Sequence, residues 1–231
     1  MAFTAMLMMN LRSSRRALHT LRRVGEPETA ACRYFFYDRE GRKQSPWHHI
    51  PLYAQPGTAS SPHEAAGSIF NFVNEIPRGC VHTWEDPNHV DENTKYGGDN
   101  DPIDVVEIGR QVMGVGEVYS VKVLGVLGMI DDGETDWKVV AINVNDPLAS
   151  VLNDVRDLAK TELHDVVPQI HRWFRDYKIP DGKRPSEFAF NGEAQSREFA
   201  VEVIQQTHES WKQLVGHELT TSTKLWTGNH L

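Results

Sequence analysis

Three carboxylates lie close together in the segment GDNDPIDV (residues 98–105), at Asp99, Asp101 and Asp104. The segment stands where a glycine-rich loop meets a run of strand-forming residues. Carboxylates crowded this closely repel each other, so they are costly unless a hard cation lies among them. Oxygen ligands without histidine or cysteine favour Mg²⁺, Mn²⁺ or Ca²⁺ over zinc. The spacing therefore predicts a site for a divalent cation.

This segment has two other interpretations, an EF-hand calcium loop and a solvated acidic turn. An EF-hand calcium loop fails, because the sixth position counted from Asp99 is Asp104 instead of glycine and the twelfth is Arg110 instead of glutamate. A solvated acidic turn would be the better interpretation if the segment stood alone. A second acidic segment argues against it.

That second segment is DDGETDWK (residues 131–138), which connects two strand candidates. The pattern predicts a hairpin turn that brings Asp131 and Asp136 to the same end of the sheet. Lys138 follows Asp136 by two residues, so the two side chains share one face of the strand. A carboxylate and a lysine on one face suit a metal-bound phosphate, because the metal holds the phosphate and the lysine offsets its remaining charge.

The composition limits the class of protein. The chain has 231 residues, enough for one domain with a well-buried core, and its 39% hydrophobic and 24% charged residues are an ordinary globular balance. The net charge of −8 argues against a nucleic-acid partner. No apolar run approaches the roughly 18 residues needed to cross a membrane. The two cysteines, Cys32 and Cys80, cannot form the disulfide framework of a small secreted domain, which favours a reducing compartment.

The N-terminal segment differs from the rest of the chain. Its first 25 residues contain five arginines and no acid, and a stripe of leucines lies beside the arginines on a helical wheel. This pattern is typical of an organelle transit peptide, here assigned to residues 1–28, although a disordered basic tail is the alternative. We therefore expect a mitochondrial protein, with the cytoplasm as the alternative location.

Hydrophobic periodicity predicts strands first and helices afterwards. The strand candidates are Cys32–Tyr37, Ser68–Ile76, Ile103–Ile108, Glu117–Ile130 and Trp137–Asn145, and the helix candidates are Ala149–Lys160, Leu163–Tyr177 and Glu193–Val215. Gly125 and Gly128 in the longest strand allow a bend or a bulge. This order predicts a small β-barrel or sheet with helices packed outside it.

Eight motifs together resemble the soluble family of inorganic pyrophosphatases, in its eukaryotic branch. They are EIPR (75–78), TWEDP (83–87), GDNDPIDVVEIG (98–109), DDGETDWK (131–138), INVNDP (142–147), YKIPDGK (177–183), EFAFNGEA (187–194) and THESWKQL (207–214). They follow the family's order between Tyr34 and about Leu214. The resemblance implies a mainly β, OB-like barrel with outer helices over residues 29–216, followed by a divergent tail at residues 217–231.

The resemblance also implies a set of metal ligands. Asp99, Asp104 and Asp136 match direct ligands of the principal Mg²⁺, and Asp104 is shared with a second ion. Asp131 matches the ligand of a further ion that arrives with the substrate. Glu75 matches an acid that reaches the metals through water. Mn²⁺ is expected to substitute for Mg²⁺.

The catalytic and substrate-binding roles come from the same resemblance. Asp101 matches the carboxylate that orients and deprotonates the attacking water. Lys138, Tyr177 and Lys178 match the groups that hold the product-side phosphate. No nucleophilic serine, cysteine or histidine is required.

One internal block of the family is absent from this chain. In the family, EIPR continues through WTNAK and a pair of strands before TWEDP, whereas here only four residues separate Arg78 from Thr83. The block would have supplied barrel strands, an arginine that grips the electrophilic phosphate and tyrosines near the leaving group. Its absence predicts an incomplete barrel and reduced activity.

The sequence therefore predicts Mg²⁺-dependent hydrolysis of inorganic pyrophosphate to two phosphates by a metal-activated water. The alternative is an impaired or inactive isoform that retains metal binding and pairs with a complete subunit. The expected partners are pyrophosphate and a second copy of the chain in a homodimer, with no nucleic acid and no membrane.

Overall fold

The computed structural model describes residues 19–26, 29, 32–54, 69–74 and 83–216. Contacts within the chain divide it into two units, one ending at Ser45 and the other beginning at Pro46. In the described part of the chain, no helix is both long enough and apolar enough to pass through a bilayer.

The first unit contains a three-stranded antiparallel sheet in the order β1-β2-β3. Its strands are β1 Thr20–Val24, β2 Arg33–Tyr37 and β3 Lys43–Gln44. The predicted strand at Cys32–Tyr37 is confirmed. The Asp38 carboxylate accepts the backbone N–H groups of Glu40 and Arg42, and this contact closes the turn between β2 and β3.

Strand β1 lies inside the segment that the sequence analysis assigned to a transit peptide. Its residues pair with β2 over five positions, from Thr20 opposite Tyr37 to Val24 opposite Arg33. Residues 1–18 of the same segment lie outside the described residues. The transit peptide stays a prediction, and residues 20–24 take part in the folded sheet.

Strands dominate the second unit, whose sheet has the order β4-β6-β7-β5, with β8 paired to the other part of β6. These strands are β4 Ile69–Val73, β5 Asp104–Glu107, β6 Val118–Asp131, β7 Glu134–Asn143 and β8 Glu187–Phe188. The sheet is a curled, open half-barrel, which confirms the predicted mainly β class. A register shift between Val123 and Gly125 confirms the predicted bulge in β6.

This unit also contains α-helices and 3₁₀ helices. The α-helices are α1 Pro46–His49, α2 Val166–Asp176 and α3 Arg197–Val215, and the 3₁₀ helices are Pro147–Ser150, Val155–Lys160, Ile179–Asp181 and Phe190–Gly192. Helix α3 packs on β6. It begins at Arg197, later than predicted, because the Ser196 hydroxyl accepts the N–H of Phe199 and caps it there.

The predicted helix at Ala149–Lys160 is wrong. Two 3₁₀ helices take its place, and Asp154 begins the second of them by accepting the N–H of Arg156. Aspartate side chains that bond to nearby backbone groups compete with a continuous helix. Leu152 and Leu158 still reach the core as the apolar pattern requires, whereas Val151 is exposed.

Candidate functional site

The turn between β6 and β7 places two of the predicted residues at one end of the sheet. Asp132 and Gly133 both have positive φ, 51° and 89°, as a tight two-residue hairpin turn requires. Asp131 pairs with Glu134 across this turn. Because side chains alternate along β7, Asp136 and Lys138 point to the same face, as predicted.

Lys138 lies between two carboxylates. Strand β5 runs parallel to β7 and sets Asp104 directly beside Lys138. The Lys138 ammonium donates to Asp104 Oδ2 at 2.6 Å and to Asp136 Oδ1, and the side chain has no exposed surface. Burial alone would lower the pKa of Lys138, but the charges of Asp136 and Asp104 raise it above its ordinary value. The lysine is therefore held in its charged form.

A second acidic group adjoins this ion pair. Glu85, Asp99 and Asp136 each offer a carboxylate oxygen, and these oxygens lie within 4.8 Å of one another. Glu85 is buried, and its Oε1 accepts the backbone N–H of Trp137 at 2.9 Å. Its Oε2 has no hydrogen-bond partner among the described residues. Burial, Asp99 and Asp136 together raise the pKa of Glu85 well above its ordinary value.

The backbone of the TWEDP segment holds the acidic loop in place. The Glu85 N–H donates to Asp101 O at 2.9 Å, and the Asn100 N–H donates to Glu85 O at 3.0 Å. Asn100 has a positive φ of 68°, and its side-chain oxygen accepts Trp84 Nε1–H at 3.2 Å. At Gly98, a side chain would overlap the backbone of Glu85. The close approach of these two segments requires glycine there.

The environments of Asp99 and Asp101 differ from those of ordinary surface carboxylates. Asp99 Oδ1 accepts the Asp101 N–H at 2.9 Å. Burial and the charge of Asp136 raise the pKa of Asp99 to about 7. Asp101 is exposed, but partial desolvation and the charge of Asp104 still raise its pKa. A raised pKa suits a group that must accept a proton near neutral pH.

The other predicted phosphate-binding residues lie at the end of α2. The Lys178 ammonium forms an ion pair with Asp131 and lies 5.4 Å from the centre of the Tyr177 ring. Burial opposes this charge, but Asp131 and Tyr177 raise the pKa of Lys178 above its ordinary value. Phe174, one turn earlier, has its ring centre 5.0 Å from the Lys138 ammonium. The aromatic end of α2 thus connects both lysines.

The structure brings most of the predicted site residues together, but it pairs predicted metal ligands with predicted phosphate-binding lysines. Asp104 and Asp136 contact Lys138, and Asp99 lies beside Asp136. Asp131 is paired with Lys178 instead. Asp101 contacts Asp99, and Tyr177 lies beside Lys178. Glu75 lies outside the described residues.

Two residues near the site, Glu85 and Phe174, were not predicted from the sequence. Glu85 stands in a motif that was quoted only as evidence of resemblance. Nothing in the sequence distinguished it from the adjacent Asp86. Phe174 carries no polar group, so its aromatic side chain gave no signal for a role in this site.

Comparison with known proteins identifies the family. The family model for inorganic pyrophosphatase matches residues 76–212. The inorganic pyrophosphatases of Candida glabrata and Zygosaccharomyces bailii are each 39% identical to this chain and match 89% and 88% of it, with 83% and 82% of their own lengths covered. The chain belongs to the inorganic pyrophosphatases.

Solved pyrophosphatase structures share its fold. The enzyme from Trypanosoma brucei brucei matches with a TM-score of 0.78 at 36% identity, over 87% of this chain and 71% of that one. A vacuolar soluble pyrophosphatase from Trypanosoma cruzi, truncated at its N-terminal domain and solved in complex with PPi, matches with a TM-score of 0.77 at 37% identity, over 87% and 92%. The predicted OB-like fold is confirmed.

The residues of the site fit a divalent cation. Three carboxylates converge, and Glu85 supplies a buried oxygen that no described residue satisfies. A buried polar atom without a partner is costly, whereas oxygen-only donors are the ligands that hard divalent cations prefer. Membership of the pyrophosphatase family and this acidic group together indicate divalent metal binding.

Proposed function

We propose that this chain hydrolyses inorganic pyrophosphate to two phosphates, with Mg²⁺ as its cofactor and Mn²⁺ as a substitute. One observation supports this most strongly: in a chain of the pyrophosphatase family, the buried Lys138 is enclosed by carboxylates that converge from β5 and β7. A lysine among carboxylates suits an anionic ligand that arrives with cations, because the carboxylates can bind the cations and the lysine can bind the anion.

In this proposal, different carboxylates bind different cations. Asp99, Asp136 and Glu85 would hold one cation, and Asp104 would turn from Lys138 to serve it and a second cation. Asp131 would leave Lys178 for a cation that accompanies the substrate. Divalent cations bound there would neutralise the phosphate charge and lower the pKa of the attacking water.

The remaining residues act on pyrophosphate itself. Lys138 and Lys178 offer charged donors, and Tyr177 a hydroxyl, to the phosphate that leaves. Stabilising the charge that develops on a leaving phosphate is the main electrostatic contribution that an enzyme makes to this reaction. Asp101, with its raised pKa, would accept the proton of the attacking water.

Release of phosphate from pyrophosphate by the purified chain tests the proposal. Activity should require Mg²⁺ and disappear on chelation. Asp136→Asn should lower the rate by at least about 10²-fold, because it removes a charge from the metal-facing group. Asp132→Asn is the matched control: this exposed carboxylate, paired with Lys183, stands in the same hairpin and should leave the rate nearly unchanged. Activity that survives chelation would contradict the proposal.

Reduced activity, relative to family members that carry the missing block, is part of the proposal. The alignment with the Candida glabrata protein extends over 248 residues, which exceeds the 231 residues of this chain, so it must contain gaps on this side. That difference supports a missing internal block. Residues 75–82, where the block would begin, lie outside the described residues.

Location and assembly are also proposals. We propose that residues 1–28 direct the protein to mitochondria, because of their arginines and leucines. A fluorescent fusion of residues 1–30 that stays diffuse in the cytosol would refute this. We further propose a homodimer, from the resemblance to the family. Light scattering of the purified chain would give its mass and decide between one copy and two.

A further inference from the structure

Phe174 is the one aromatic side chain recorded over the Lys138 ammonium in the described part of the chain. The distance from Nζ to the ring centre is 5.0 Å, within the range of about 6 Å over which a ring face attracts a cation. Both side chains are buried, so water does not screen the contact. Such contacts are strongest when they are desolvated.

Lys138 contacts an uncharged ring and two carboxylates, and these partners differ in what a metal does to them. Asp104 and Asp136 are the carboxylates that the proposed function assigns to the cations. A carboxylate oxygen that serves a cation attracts the lysine less. The ring of Phe174 cannot bind Mg²⁺ as a ligand, so its contact with the ammonium persists.

From this difference we propose that Phe174 is a positioning residue, which holds the Lys138 ammonium in the place where it meets phosphate after the carboxylates have turned to the metal. The proposal rests on the proposed function, since it concerns the phosphate site of the same reaction. It adds a residue that contacts neither metal nor phosphate and acts through Lys138.

The ring has the fixed position that such a role needs. Phe174 meets Trp173 edge-on at 4.8 Å and Tyr177 edge-on at 6.0 Å between ring centres. Trp173 in turn stacks on Tyr177 at 5.1 Å with an angle of 16°. Aromatic pairs in these arrangements contribute beyond their buried area. Phe174 therefore links Lys138 on β7 to Tyr177 at the end of α2.

A purely structural role is the alternative, because Phe174 is 4% exposed and any buried phenylalanine supports the fold. A double-mutant cycle with Lys138 separates the two roles. The measurement is the affinity for inorganic phosphate at saturating Mg²⁺, by titration calorimetry, with melting temperatures recorded for every variant.

Phe174→Leu fills most of the space but lacks the ring face. It should weaken phosphate binding about tenfold in the otherwise unaltered protein, and less than about twofold when Lys138 is already methionine. Phe174→Tyr keeps the ring and should retain the affinity. Phe199→Leu is the control, because its ring lies 5.8 Å from Trp137, the neighbour of Lys138 in β7, and should not change phosphate binding.

Each outcome decides a separate point. An equal loss in both Lys138 backgrounds, or no loss at all, overturns the positioning role while leaving the proposed function intact. Failure of the unaltered protein to bind phosphate with Mg²⁺ or to hydrolyse pyrophosphate overturns the proposed function, and the positioning role with it. Should Phe174→Leu not fold, Phe174→Met replaces it in the same cycle.

Discussion

Asp99 makes the metal-free protein less stable than it would be with an uncharged residue there. Its pKa in the folded protein is raised from 3.8 to about 7, first by burial and then by the charge of Asp136. The charge of Asp101 raises this pKa further, whereas the nearby charge of Lys138 lowers it. We therefore expect Asp99→Asn to stabilise the protein when no metal is present.

The pH range follows from the direction of the shift. Between about pH 4 and pH 7 the folded protein keeps the proton on Asp99, whereas the unfolded chain has lost it. The stabilisation that the proton on Asp99 gives to the folded protein is fully present below the pKa of the unfolded chain. It is lost as the pH rises through about 7. A shift of about three pKa units corresponds to at most about 4 kcal/mol.

Melting curves in a chelator at several pH values test this. At pH 8, Asp99→Asn should melt higher by up to about 10 °C, since about 1 kcal/mol moves the midpoint by roughly 2–4 °C in a protein of this size. Near pH 4 the two proteins should melt together. Asp132→Asn is the control and should show no such gain, because Lys183 lowers the pKa of Asp132. A gain that does not depend on pH, or a loss at pH 8, would refute the reasoning.

Three other outcomes are expected. Asp104→Asn should weaken Mn²⁺ binding, measured by electron paramagnetic resonance, more than Asp131→Asn, because Asp104 is proposed to serve two ions; equal effects would contradict the sharing. Gly98→Ala should lower both the melting temperature and metal affinity, since its new side chain overlaps the Glu85 backbone; unchanged calorimetric and melting data would count against that clash. Inserting the family's block between Arg78 and Thr83 should raise the turnover of pyrophosphate at least about 10²-fold, and an unchanged turnover would mean that the block is dispensable.

The sequence predicted the parts of the site that depend on local spacing. Asp136 and Lys138 share a face because side chains alternate in any strand. The hairpin at Asp132-Gly133 follows from the positive φ that its two residues tolerate. The long strands and the position of α2 could also be predicted locally, because each follows from the periodicity of apolar residues.

Contacts between distant segments could not be predicted in this way. Asp131 is joined to Lys178, which is 47 residues later, and Glu85 reaches Trp137 across 52 residues. Their partners depend on how the sheet curls and where α2 packs, which no local pattern specifies. The mistaken helix at Ala149–Lys160 has a local cause, since its apolar period was correct but the side chain of Asp154 bonds to the backbone instead.

The parallel pairing of β5 with β7 has a consequence for folding kinetics. Asp104 on β5 pairs with Lys138 on β7, which is 34 residues later in the chain, whereas β6 and β7 are joined by a tight turn. Contacts between segments so far apart in the chain close slowly. If these contacts close after the main barrier to folding, a bound cation stabilises interactions that are absent from the transition state. Such interactions slow unfolding and leave the folding rate almost unchanged, so added Mg²⁺ should prolong the lifetime of the folded protein without hastening its formation.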